Sequence, residues 1–382
     1  MTERTNTLTL LRRIGRWVAL AAAVLLGVSP KMAVWFPALS PHIALGGALA
    51  AKTVSVVTLA GLPVLVLAMR WPRWFCRHAC PTGFLQELLS RRRAAAWHRW
   101  PPVGKWLLMI TMGGAAVGYP VFLWLDPLAI FNGFLNAAWH KPVAVGGGLL
   151  LPAVLVFNVL LPQVWCQRIC PLGAFQELLA LPQRQTRVPL SEARRERLAR
   201  RAFLGLCAGA ASAVVIQRVR ASSPLRPPGA LSEEQFTGVC VRCGNCGAVC
   251  PSRIIRQDWK SVTGFLAPVL RLDSDYCREN CNRCGQVCPS GAIARLSLAE
   301  KTARRIGVAR IDWDTCAMAN GQECNACLRA CPFEALVIVD NAERTGSEPR
   351  LIRGRCNGCG ACQSVCPVWP VPAIRVIPLN EK

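Results

Sequence analysis

The chain is poor in acidic residues and in histidine. Its 382 residues hold 21 Asp and Glu against 45 Lys and Arg, a formal net charge of +24, and only four histidines. No Gly-x-Gly-x-x-Gly opens a helix after a strand, and no P-loop is present, so nucleotide chemistry is not indicated. There is no Cys-x-x-Cys-His, which excludes covalently attached haem. His42, His78, His98 and His140 do not pair within apolar runs, which argues against a buried bis-histidine haem. No nucleophile–histidine pattern of a hydrolase is visible.

So basic a chain invites a nucleic-acid reading. The placement of the charge argues against it. Arg12, Arg13, Arg91, Arg92, Arg93, Arg194, Arg195, Arg200 and Arg201 all sit beside apolar runs. The second half has no basic tract with interleaved aromatics. Hydrophobic residues make up 52% of the chain, and apolar runs flanked by arginine are the pattern of membrane spans. Residues 1–220 carry these runs. Residues 221–382 are polar and hold sixteen of the 21 cysteines.

Five runs approach the length of a span: about 17–36, 53–68, 105–125, 143–164 and 202–216. Arg70, Arg73, Arg77, Arg91 to Arg93 and Arg99 lie between the second and third. Arg168, Arg184, Arg187 and the 194–201 group lie between the fourth and fifth. The connections at 37–52 and 126–142 hold only Lys52 and Lys141. Positive charge stays inside, so the N-terminus and the arginine-rich loops are expected in the cytoplasm. An odd fifth span then puts the C-terminal domain on the periplasmic side of a bacterial inner membrane. "RRAFLGL", Arg200 to Leu206, resembles a twin-arginine export signal, a route for folded cargo. No convincing A-x-A cleavage site follows, so the domain is expected to stay tethered.

The apolar half is duplicated. "LSPHIALGGA" from Leu39 aligns with "LDPLAIFNGF" from Leu125, and "LPVLVLAM" from Leu62 with "LPAVLVFN" from Leu151. "WFCRHACPTGFLQELL" from Trp74 then aligns with "WCQRICPLGAFQELL" from Trp165. Each unit reads as a span, an outer Ser-Pro or Asp-Pro turn, a return span and a cytoplasmic CxxxCP loop. Cys76, Cys80, Cys166 and Cys170 therefore reach one membrane face. They could share one cluster, act as redox dithiols, or simply start helices.

The polar half holds four cysteine runs. They are Cys240, Cys243, Cys246, Cys250; Cys277, Cys281, Cys284, Cys288; Cys316, Cys324, Cys327, Cys331; and Cys356, Cys359, Cys362, Cys366. Each ends in Cys-Pro. The C-x2-C-x2-C-x3-C-P run is the bacterial [4Fe–4S] pattern, in which three close cysteines hold one cluster and the fourth holds its neighbour. Zinc ribbons use C-x2-C pairs instead. Four motifs imply four [4Fe–4S] clusters and a wire for electrons.

At these motifs the sequence resembles a known pair of proteins. Residues about 10–180 resemble NapH-type membrane subunits of periplasmic nitrate reductase systems, related also to NosR-type proteins. Residues about 195–382 resemble NapG-type ferredoxin subunits, through "RRAFLGL", "LRPPGALSEEQFTGVCVRCGNCGAVCP" from Leu225, the later motifs and "PAIRVIP" from Pro372. The resemblance implies quinol oxidation in the membrane, with electrons passed through iron–sulfur clusters to a periplasmic oxidoreductase or cytochrome. It also implies that motifs one and four pair, as do two and three. Cys366 would then complete the Cys240, Cys243 and Cys246 set, and Cys250 the Cys356, Cys359 and Cys362 set. Cys331 would join Cys277, Cys281 and Cys284, and Cys288 would join Cys316, Cys324 and Cys327. Typical NapH-type subunits carry two further four-cysteine motifs after their spans, and this chain has none there.

The expected architecture is an α-helical membrane half with about five spans and a two-fold repeat, followed by an α+β ferredoxin domain. The expected divisions are 1–190, a signal and span at 191–222, and a polyferredoxin domain at 223–382. A quinol site on the periplasmic side needs a proton acceptor near the outer face. Asp126 is the candidate, with His42, Lys52 and His140 also expected there. Trp35, Phe36, Trp71, Trp74, Trp124 and Trp165 are expected as an interfacial belt. Cys207, alone in the fifth run, is expected to pack. A redox assembly or regulatory protein of NosR type, supporting maturation of a periplasmic metalloenzyme, is the alternative function.

Overall fold

The computed structural model describes residues 2–90, 100–140, 145–180, 192–219, 223–341 and 346–379. The expected flanking charges Arg91, Arg92, Arg93, Arg99, Lys141, Arg184 and Arg187 lie outside them. The first half is helical: α1 (Thr2–Val28), α2 (Trp35–Ala38), α3 (Pro41–Ala51), α4 (Val56–Leu59), α5 (Leu62–Arg70), α6 (Trp74–His78), α7 (Pro81–Leu89), α8 (Val103–Ala116), α9 (Pro127–Trp139), α10 (Val145–Leu160), α11 (Pro171–Leu179) and α12 (Glu192–Arg218).

Proline sets where these helices begin. Ser40–Pro41, Cys80–Pro81, Asp126–Pro127 and Cys170–Pro171 start α3, α7, α9 and α11. Proline is preorganised for the first helical position, and a polar residue before it caps the free amides. Ser40 Oγ accepts from Ile43 N at 3.4 Å, and Asp126 Oδ1 accepts from Leu128 N at 3.0 Å.

This corrects the expected span pattern. Among the described residues, only 195–218 of α12 is a helix long and apolar enough to cross a membrane. The run at 17–36 stops at Val28, before Ser29–Pro30. The run at 53–68 splits into α4 and α5, and that at 105–125 ends at Ala116, before the left-handed Gly118 (φ 95°). The connections expected at 37–52 and 126–142 are instead largely the buried helices α3 and α9. Their capped, proline-led starts were the signal for them.

The repeats interlock. α5 of the first packs on α11 of the second, and α10 of the second packs on α7 of the first. Arg73 and Gln163 occupy equivalent places and share the left-handed conformation, φ 57° and 60°. α12 lies along α8 because small residues meet there: a Cβ on Gly205 would come within 2.7 Å of Met109 Cβ. Close approach through glycine is how helices associate where apolar burial alone gives no drive. Phe36 and Trp165 are buried in the core rather than on a belt, and Cys207 is exposed rather than packed.

The second half is built from short antiparallel pairs between cysteine loops: β1 (Ile255–Gln257) with β2 (Pro268–Leu270), β3 (Val308–Ile311) with β6 (Ile374–Ile377), and β4 (Leu336–Asn341) with β5 (Gly346–Leu351). Two closures matter for the site. Ala230 bridges Ile293, which brings the chain after motif two back beside motif one. β3–β6 brings the chain after motif four back beside motif three.

The halves meet on α3, α9 and α10. A Cβ at Gly47 would come within 2.5 Å of the Ser290 carbonyl oxygen, so α3 lies directly on the motif-two loop. Gly146 N donates to Gln257 Oε1 at 2.7 Å.

Candidate iron–sulfur centres

The cysteines of the second half gather in four groups. Cys240, Cys243, Cys246 and Cys288 line one cavity. Cys250 lies beside Cys277 and Cys284, with Cys281 at the same place. Cys316, Cys324, Cys327 and Cys366 line another cavity. Cys331 lies with Cys356, Cys359 and Cys362. Motif one therefore pairs with motif two, and motif three with motif four. This corrects the pairing that the resemblance implied. The reason is topological: the Ala230–Ile293 bridge and the β3–β6 ladder each close one two-motif module.

The groups also have an order. Cys246 of the first reaches Cys284 of the second. Cys277 N of the second donates to the Cys359 carbonyl of the motif-four group at 2.9 Å. Cys362 of that group reaches Cys327 of the motif-three group. The groups thus follow one another in the order motif one, motif two, motif four, motif three.

The donor set suits clusters. Burial pushes the Cys246 thiol well above its ordinary value, Cys284 up to about 12 and Cys327 up to about 11, with neighbouring cysteines adding to the effect. Thiolates become favourable in such places only with a cation among them. Backbone amides also point at sulfur, Ile293 N to Cys288 Sγ and Ala335 N to Cys331 Sγ, both at 3.4 Å. Among the described residues no three His, Cys, Asp or Glu converge closely enough for a single metal ion. A cubane is several atoms wide, so its ligands stand further apart than those of one zinc ion.

Sequence reasoning missed Lys301, which is 1% exposed. Its Nζ donates to the Arg278 carbonyl at 2.6 Å and lies against the Cys277 sulfur. The capping box of Ser297 and Glu300 holds its helix. That pattern was legible, but the inward turn of Lys301 was not.

The first half gathers four more thiols. Cys76, Cys80, Cys166 and Cys170 lie close enough that every one of the six pairs interacts electrostatically. Cys80 and Cys170 are buried, and Cys76 and Cys166 partly so. Asp126, expected near the outer face and away from the CxxxCP loops, is fully buried and lies near these thiols. Thr82 Oγ1, two residues past Cys80, donates to the Pro127 carbonyl at 3.1 Å. His42 is buried with Asp126, its Nδ1 3.3 Å from Asp126 Oδ2. Lys52 and His140 are not part of this group and lie at the far ends of α3 and α9.

α9 joins the two regions. It begins at the Asp126 cap and carries Asn132 and Asn136, both fully buried, toward the first ferredoxin group. Asn136 Nδ2 donates to the Cys243 carbonyl at 2.8 Å and Asn132 Nδ2 at 3.3 Å, and both reach Asn245 Oδ1. Ten residues of helix rise about 15 Å, so the thiols and the first group are separated by little more than one short helix.

A 4Fe-4S dicluster domain model matches residues 239–292 and 322–369, and a 4Fe-4S binding domain model matches 53–100 and 143–189. Similar proteins include the methylamine utilization ferredoxin-type protein MauM of Methylophilus methylotrophus, 32% identical over half of this chain and 88% of that one. The ferredoxin-type protein NapG of Escherichia coli is 34% identical over 46% of this chain and 80% of that one. The chain belongs to the ferredoxin-type protein family of NapG and MauM. The ferredoxin-type protein NapH of Escherichia coli is also similar, at 24% identity over 37% of this chain and 51% of that one. This NapH/NapG-like fusion is an iron–sulfur electron-transfer protein. No solved structure matches it.

Proposed function

We propose that this NapH/NapG-like fusion is anchored in a bacterial inner membrane and carries electrons from quinol to a periplasmic redox protein through four [4Fe–4S] clusters. The carrying observation is the continuous path from the buried CxxxCP thiols, along α9, through Asn132 and Asn136 to Cys243 and on through the four cysteine groups. The sixteen cysteines of those groups are the ligands. The clusters supply one-electron transfer, and the protein supplies spacing and order.

Outward-facing apolar residues support the anchor. Leu25, Val156, Leu160, Phe203 and Val215 are each more than 60% exposed on their helices, a surface suited to lipid rather than water. Quinol oxidation releases two electrons and two protons per molecule. In this reading Asp126, held by Ser40 and His42, is the proton acceptor. A polar cavity of about 350 Å³ lined by Arg73, Lys105, Glu177 and Cys170 lies beside the thiols. At the far end of the wire, Trp369 stands 87% exposed three residues after Cys366. That end suits the periplasmic partner, because an apolar aromatic beside a terminal cluster favours close approach.

The test is to add a quinol to the purified protein and follow the iron–sulfur absorbance. Bleaching is expected. Absence of bleaching with every quinol, in protein that dithionite reduces, would remove quinol as the donor.

A further inference from the structure

The QELL segments repeated after each CxxxCP motif have so far had no role. Their glutamines, Gln86 and Gln176, are fully buried. Each reaches across to the other repeat. Gln176 Nε2 donates to Cys76 Sγ at 3.2 Å, and Gln86 Oε1 faces Cys166 Sγ at the same distance. The contacts are equivalent under the pseudo-twofold that relates the repeats. Gln86 Nε2 and Gln176 Oε1 are left buried without a partner. A half-turn of the Gln86 amide about its last torsion gives both repeats one contact, an N–H donated to sulfur.

Such a donor is most favourable when the sulfur is a thiolate. The thiols are arranged for that too. Cys80 and Cys170 are the N-caps of two nine-residue helices, α7 and α11. Gly173 N donates to Cys170 Sγ at 3.4 Å. Arg73 joins the repeats from the same side, donating to the Cys166 and Gln167 carbonyls at 3.1 and 3.2 Å. Cross-repeat approaches such as Cys80 to Cys166 and Cys80 to Cys170 exist alongside those within each motif, so no one pair is singled out for a disulfide. A single metal ion does not fit the group either.

We propose that Cys76, Cys80, Cys166 and Cys170 hold one iron–sulfur cluster shared by the two repeats, with Gln86 and Gln176 as positioning residues that donate to its Cys166 and Cys76 thiolates. Its place as the entry to the wire rests on the electron-transfer reading above. The site itself does not.

The experiment uses the full chain and a dithionite titration, with no quinol. Cys80→Ser and Cys170→Ser should each lower iron per chain by the content of one cluster, leaving the electron paramagnetic resonance signals of the four ferredoxin groups intact. The double variant should lose no more than either single one. Additive losses would show two separate clusters and overturn the shared site. No loss of iron would leave four thiols without a cluster and overturn it as well. Gln86→Leu and Gln176→Leu should keep the iron and shift the midpoint potential of that cluster to more negative values, because each removes a donor that favours the reduced form. Gln86→Glu should shift it further. An unchanged potential in all three, with iron retained, would remove the glutamines from the proposal. Failure of quinol bleaching with these iron results intact would overturn the donor assignment alone.

Discussion

Ser40 Oγ donates a 2.6 Å hydrogen bond to Asp126 Oδ2, and both residues are fully buried. They are the equivalent caps of α3 and α9, so the two repeats are joined at their matching turns. Asp126 also accepts the first amide of α9 and contacts His42. Asp126→Ala leaves the Ser40 hydroxyl donor and His42 Nδ1 without their Asp126 partner and uncaps α9, a loss of at least about 2 kcal/mol. Thermal unfolding in detergent should show it. Asp126→Asn keeps the cap, and is expected to keep the fold while slowing quinol-driven reduction.

Asn132 and Asn136 hold the carbonyl of Cys243 from the apolar half. Replacing both with Leu buries an unsatisfied carbonyl at the first cluster. Quinol-driven reduction of all four ferredoxin groups should then slow by at least tenfold in stopped-flow absorbance, while dithionite still reduces them. An unchanged rate would mean that electrons do not enter through α9.

The pairing of motifs is directly testable. Cys288→Ser should remove the signal of the cluster held by Cys240, Cys243 and Cys246, and leave the motif-three cluster unaltered. Cys366→Ser should do the reverse. Loss of the motif-one cluster in Cys366→Ser would restore the crossed pairing.

Lys301 places a buried ammonium against the Cys277 sulfur. A nearby positive charge favours the reduced, more negative cluster. Lys301→Met is expected to lower the potential of that cluster by roughly 60 mV, a tenfold change for one electron. Redox titration of the electron paramagnetic resonance signal measures it.

The raised thiols predict a pH dependence for the cluster-free chain. Burial lifts Cys284 to about 12 and Cys327 to about 11, above the ordinary value of 9.0. The folded state therefore keeps protons that the unfolded state releases. Stability should be fully present below pH 9 and fall as pH rises toward 11–12. Calorimetry should show this drop without clusters and lose it with them, because thiolates bound to iron no longer titrate there.

The sequence by itself determined the chemistry. The Cys–Pro-terminated runs carry the [4Fe–4S] pattern, in which short spacings wrap one cluster, and the aligned CxxxCP and QELL segments mark a repeat. Caps and prolines at Ser40–Pro41 and Asp126–Pro127 marked two helices that a search for long apolar runs passes over. Only the tertiary structure decided which fourth cysteine completes which group, since that depends on closure between residues as distant as Val308 and Ile377. It alone brought Asp126 beside Cys80 and turned Gln86 toward Cys166. Spacing along a chain governs local ligation, whereas the path of electrons depends on contacts between segments that spacing does not encode.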